Sequence, residues 1–198
     1  MEQLTPANRC EWAKHPLEIT YHDTEWGIAV YDDRKLFEFL LLDSFQAGLS
    51  WLTMLKKREH FRKVFDNFDF TRIAQYSEEK KDELHNDKGI IRNKKKIEAA
   101  VNNAEATLNI VENHGSLSNF LWKFVDFKPI INHYKSWNEI PATTKISDEM
   151  SKALKKEGFS FAGSTICYAF MQAAGMVNDH IASCPRHHEV QKSYRDLR

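Results

Sequence analysis

The chain has 198 residues, and its 28 Lys and Arg are balanced by 28 Asp and Glu, so the formal net charge is zero. That length suits one domain, or two small lobes sharing a core, and the neutral balance leaves any anionic partner to be found in local charge. Gly and Pro supply only 7 and 5 positions, about half of average usage and too few for the many tight turns of an all-β domain.

The predicted elements are helical throughout. Asp32-Asp33 reads as a cap and first-turn anion for a helix carrying Leu36, Phe37, Leu40 and Leu41. Phe39 to Leu42 is a short apolar run, and the stretch from Met1 to Trp12 has neither the basic flank nor the apolar core of a secretion signal. Membrane spanning and export are therefore not expected. Ser77-Glu78-Glu79 and Ser116-Leu117-Ser118 suggest short helices. Between them, Ile97, Val101, Ala104, Leu108 and Val111 recur at steps of four and three after Asn93, a possible N-cap. Ser147-Asp148-Glu149 predicts another helix start, with the end at Gly158 after Lys155-Lys156. A last stripe, Ile166, Phe170, Ala173, Val177 and Ile181, follows Gly163-Ser164, with Gly175 a possible break. The fold class expected is all-α in a single domain over 1–198. The tail from Arg186 to Arg198 is polar and expected to be loosely held.

Charge is concentrated in two places. Lys88, Arg92, Lys94, Lys95 and Lys96 occur without a carboxylate up to Ile97, and Lys56, Lys57, Arg58, Arg62 and Lys63 share their stretch only with Glu59. Each cluster reads either as a solvated helix face or as an electrostatic footprint. The sequence around Gly89-Ile90-Ile91-Arg92 reads as helix, short glycine-containing turn, helix. That shape can present backbone N–H groups to a phosphate, and it resembles the helix-hairpin-helix clamp on a DNA backbone. The cysteines, Cys10, Cys167 and Cys184, are odd in number, which argues against a disulfide framework and for a reducing compartment, by default the cytoplasm.

Four segments point further. Tyr21-His22-Asp23-Thr24-Glu25-Trp26-Gly27, Gln46-Ala47-Gly48-Leu49-Ser50-Trp51, the run Gly158 to Tyr168, and Asn178-Asp179-His180 resemble the signature segments of the DNA-3-methyladenine glycosylase I family. The resemblance spans roughly Cys10 to Cys184. It implies a helix-hairpin-helix glycosylase that removes 3-methyladenine from alkylated DNA in base-excision repair, with a structural zinc ion joining the N- and C-terminal segments. Residues from about 30 to 150 would form the hairpin-containing lobe, and 1–29 with 151–185 the zinc-linked lobe, with 186–198 as the tail. The partner implied is double-stranded DNA carrying alkylated bases, without a membrane and with the chain as a monomer.

The resemblance also assigns residues. Zinc would be held by Cys10, His22, His180 and Cys184, of which the last two stand at i and i+4, one face if that segment is helical. Spacing alone equally fits unpaired cysteines and a surface His, and His187 or His188 could substitute. Cys167, inside an apolar run, reads as a core thiol. Trp51, Trp26 and Tyr21 match positions that line the base pocket, each with core packing as the plainer alternative. Leu49, after Gly48, is a candidate wedge into the gap left by a flipped nucleotide. Gln46 could contact the opposite strand, and Gly89, Ile91, Arg92 and Lys94 would meet the DNA backbone.

Catalysis falls to Asp43 and Tyr21. Many glycosylases of this superfamily have an Asp shortly beyond the hairpin, but no Asp occurs from Lys88 to Val125, where Glu98, Glu105 and Glu112 do. A 3-methyladenine nucleoside is already cationic, so little acid catalysis is needed and no nucleophilic lysine is required. In place of the family's glutamate eight residues before Trp51 stands Asp43, about 1.5 Å shorter. Either a backbone shift or a water restores its contact with the base, or the lesion preference has changed or activity is lost, leaving a DNA-binding protein.

Overall fold

The computed structural model describes residues 8–194. Residues 1–7, and 195–198 of the expected tail, lie outside the described residues. Helix α1 (Pro16–Thr24) starts with a capping box in which His15 and Glu18 satisfy the free N–H groups, and Pro16 occupies its first turn. Helix α2 (Asp33–Gln46) is capped by Asp32, as expected, and is buried without interruption from Leu36 to Phe45. Helix α3 (Trp51–Val64) begins under the Ser50 cap and leads to a short α4 (Phe70–Ile73). Helix α5 (Glu78–Asn86) and the long α6 (Lys94–His114) are capped by Ser77 and Asn93, and α7 (Leu117–Trp122) by Ser116.

The second half adds a two-residue parallel strand pair to the expected helical fold. Strand β1 (Ile130–Ile131) pairs in parallel with β2 (Val177–Asn178), Ile130 facing Val177. Helix α8 (Lys145–Lys156) starts two residues earlier than Ser147, because Thr144 and Ser147 form a reciprocal cap, and it ends before Gly158. Helix α9 (Ser164–Ala173) stops well short of Val177 and Ile181.

The reason for that stop is tertiary. The segment after α1 crosses the end of α9, where the Gly27 N–H donates to the Gln172 carbonyl and the Val30 N–H to that of Ala174. Gly175 takes φ +69° there, and a Cβ on it would lie 2.3 Å from the Ile28 carbonyl carbon. The last helix, α10 (Pro185–Ser193), replaces the expected loose tail. It buries His187 and Val190, and beyond it the Tyr194 hydroxyl donates to the Gly27 carbonyl. The core lies around α2, which packs against α3, α6, α7 and α9.

Candidate functional site

Helices α1, α2, α3 and α9 enclose a cavity of about 370 Å³. Its aromatic walls are Tyr21, Trp26 and Trp51 with Trp12 and Trp137. Tyr21 and Trp51 stand 5.2 Å apart between ring centroids, and Trp12 meets Trp26 edge-on at 5.2 Å. Trp51 is half-buried, packing against the core while it lines the cavity. Gln46, Gln172 and two carboxyls, Asp43 and Glu18, supply the polar part of the lining.

Asp43 is held by α2 with 3 % of its surface exposed, and its Oδ2 has no hydrogen-bond partner. Burial pushes its carboxyl up to about 8, against the opposing pull of the Arg58 charge. Trp51 Nε1 and Trp12 Nε1 are also buried without partners. Groups of this kind in a fold otherwise well satisfied mark where a ligand belongs. Burial, and next the Asp43 charge, raise the Tyr21 phenol well above its ordinary value, so it keeps its proton. Behind Tyr21, the buried Arg58 forms a bidentate pair with Glu25 and donates to Glu38 at 2.7 Å, while Arg62 donates to the same Glu38 oxygen. Arg58 is thus an internal strut rather than part of a surface footprint.

Cys10, His22, His180 and Cys184 meet with all four donor atoms within 4.8 Å of one another, all buried. The Cys10 sulfur lies 3.7 Å from His180 Nδ1, and the Cys184 sulfur 3.7 Å from His22 Nε2. The two imidazole nitrogens are 3.1 Å apart. Each ring is aimed by its other nitrogen: His22 Nδ1 contacts Asp23 at 2.7 Å, and His180 Nε2 donates to the Trp26 carbonyl at 3.0 Å. Such a set can hold a metal ion. His180 and Cys184 do not reach it from one helix face, since Cys184 is the N-cap of α10 and the residues before it are extended or turned. His187 is not a substitute ligand, as its Nε2 donates to the Asn132 carbonyl. The metal set and the cavity share a wall, because Trp26 packs edge-on against His180 at 4.6 Å.

Fewer of the basic side chains reach the surface than the charge count suggests. Lys96 is buried, and its ammonium donates to the carbonyls of Phe45 and Ala47 at the end of α2. In the α5–α6 connection the Gly89 N–H donates to Asp87, and Lys57 donates to the Lys88 and Gly89 carbonyls. Glycine is required at 89 because a Cβ would lie 2.1 Å from the His60 ring, which is itself bonded to Asp87. Arg92 and Lys94 are exposed and Ile91 half-buried. Leu49 is 40 % exposed beside Gly48 at φ +83°, next to the cavity mouth. Gln46, expected to contact the opposite strand, lies on the cavity wall. Glu98, Glu105 and Glu112 are exposed on α6, outside the cavity lining.

Sequence reasoning missed Trp12, Trp137, Glu18 and Gln172. For Trp12 the signal was available, two positions from Cys10; for Trp137, in an irregular segment, there was none.

A helical scaffold, an aromatic-walled cavity holding an unpartnered buried acid, and exposed basic residues beside a hairpin suit a protein that binds a planar, electron-poor group. Comparison with known proteins narrows the class. The family description of methyladenine glycosylases matches residues 12–187. The chain belongs to that methyladenine glycosylase family. It is 49 % identical over 177 residues to DNA-3-methyladenine glycosylase 1 of Escherichia coli (strain K12), covering 89 % of this chain and 95 % of that one. It is similar to a crystal structure of 3-methyladenine DNA glycosylase I at TM-score 0.87 and 51 % identity, covering 89 % of this chain and 98 % of the other. A third match, TM-score 0.88 at 37 % identity, is a structure of the Staphylococcus aureus enzyme described as the basis of its 3-methyladenine recognition, covering 91 % and 97 %.

Proposed function

We propose that the protein is a monofunctional DNA glycosylase that hydrolyses the N-glycosidic bond of 3-methyladenine in double-stranded alkylated DNA, the opening step of base-excision repair. The observation that carries this is Asp43: a buried carboxyl with an unpartnered oxygen, facing an aromatic cavity wide enough for a purine. An everted base would stack on the face of Trp51, which suits a cationic ring, with the Tyr21 O–H available to its edge. Neutral Asp43 would lose its proton as the cation enters, since a positive charge alongside favours carboxylate. It would then accept a hydrogen bond from the exocyclic amino group.

Little further chemistry is required of the protein. The C1′–N9 bond breaks with its electron pair going to the base, which leaves neutral, and water completes the sugar. The acceleration comes from holding the base and the developing sugar cation in place. No lysine lines the cavity among the described residues, which suits hydrolysis without strand cleavage. Leu49 is proposed as the wedge, and Arg92, Lys94 and Ile91 as backbone contacts. Nothing in the cavity favours the non-catalytic reading of Asp43, because the acid still faces the place where a base would lie.

Zinc is proposed for the Cys10, His22, His180 and Cys184 set. Tetrahedral zinc with ordinary N and S bond lengths needs donor separations of about 3.3–3.8 Å; four of the pairs lie between 3.1 and 3.9 Å and all within 4.8 Å, so modest closure would complete the set. Bound there, the metal supplies a structural tie between the segments before α1 and α10. The single domain with two lobes, a monomeric state and a cytoplasmic location complete the proposal. No described helix is long and apolar enough to cross a membrane.

The test is chromatography of bases released from methylated duplex DNA. Free 3-methyladenine should appear without strand breaks, and Trp51→Ala should slow its release about ten- to a hundredfold, the worth of one stacked base. A folded, metal-loaded protein that releases no base would end the proposal.

A further inference from the structure

Glu18 is the second carboxyl of the cavity; it caps α1, and the reaction as described so far does not use its charge. It sits in the first turn of α1, where its Oε2 accepts from the His15 N–H at 2.9 Å and the Lys14 N–H at 3.3 Å. Those neutral donors orient the side chain without cancelling its charge. Among the described residues no Lys, Arg or His forms an ion pair with it. No cationic side chain lines the cavity either, and the nearest guanidinium, Arg58 behind Tyr21, is paired to Glu25 and Glu38. The N-terminal end of α1 favours a negative charge at this position. The cavity therefore combines aromatic faces, a buried acid with an unpartnered oxygen, and one uncompensated carboxylate.

We infer that Glu18 makes the cavity prefer a base that is still positively charged, an N3-alkylated purine joined to its deoxyribose, over the neutral base that the reaction releases. The inference rests on the glycosylase reading and deepens it. Bond cleavage removes the positive charge from the base, since its electron pair stays on N9. The attraction between base and Glu18 then lapses, which helps the product leave. Undamaged bases, which are neutral, gain no such attraction. Glu18 is thus a specificity-determining residue for charge, whereas Asp43 reads the edge of the base.

The test uses two probes that differ in charge. One is 3,9-dimethyladeninium, a permanent cation whose N9 methyl group stands in for the sugar and does not leave. The other is neutral 3-methyladenine at pH 7.5. Binding is followed by quenching of the cavity tryptophans. Gln at this position also completes a capping box, so Glu18→Gln should melt with the native protein while losing the charge.

The expected result is a loss of about tenfold in cation binding, with binding of the neutral base unchanged and cation preference retained by Glu18→Asp. Native-like cation binding by Glu18→Gln, or equal weakening of both probes, would overturn the role of Glu18 and leave the glycosylase reading standing. Failure of the native protein to bind either probe would overturn both.

Discussion

Asp43 shows how one side chain ties function to stability. Its carboxyl ionises near 3.8 when exposed and at about 8 in the fold, so between those values the native state holds a proton that the unfolded chain has released. Stability contributed by this group is complete below pH 3.8 and is lost as pH rises toward 8, by about 1.4 kcal/mol per unit. Asp43→Asn removes that dependence while nearly preserving shape. Urea denaturation should find the variant close to native at pH 4 and a few kcal/mol more stable at pH 8, a difference that grows steadily between. Base release should fall in the same variant. If the stability difference were flat with pH, the buried carboxyl would not be neutral as described. Tyr21 was legible as a site residue because it stands beside His22 and Asp23 in a distinctive segment. Glu18 was not, because a glutamate at the third position of a helix is fully explained by capping until the cavity beside it is seen.

At the scale of elements, the two basic clusters divide into struts and exposed contacts. Lys96 closes the C-terminal end of α2, satisfying carbonyls that no intrahelical N–H can reach. It thereby fixes the turn that carries Gly48 and Leu49. Lys96→Met should cost about 1–3 kcal/mol and slow base release, with no change in how DNA binding responds to salt. Arg92→Ala and Lys94→Ala should do the opposite, leaving stability within about 0.5 kcal/mol and lowering the salt slope by about one each. Binding titrations across salt concentrations decide between these outcomes; a reduced slope in Lys96→Met would contradict its place in the structure. The caps Asp32, Ser77, Asn93 and Ser116 were readable because a cap depends on residues within one turn. Which lysines face water was not, since that depends on what packs across the helix.

Across the whole molecule, the chain ends and the cavity are coupled. His180 packs against Trp26, and Trp26 in turn meets Trp12 and Trp137. Metal analysis of untagged protein should find about one zinc per chain. Cys184→Ser should lose the metal, melt at least several degrees lower, and release base more slowly through loss of the cavity wall. A Cys184→Ser protein that keeps its zinc would remove Cys184 from the site. Gly175 is the second tie, where the segment after α1 presses on the end of α9. Gly175→Ala combines a backbone clash with a left-handed φ and should cost more than about 3 kcal/mol, read as a lower denaturation midpoint.

The helical character and most of the caps were determined by the sequence itself, and the family resemblance picked out Cys10, His22, His180 and Cys184, which the fold brings together. Periodicity and capping are local, and chemically distinctive residues keep their meaning wherever the chain puts them. What the tertiary structure decided is where chemistry depends on neighbours far apart in the chain. It ended α9 at a crossing segment, made a packed helix of Pro185–Ser193, withdrew Lys96 and Arg58 from the surface, and brought Glu18 to the same cavity as Asp43. Each of those outcomes follows from which segment excludes water from which side chain, and no local window of sequence contains both.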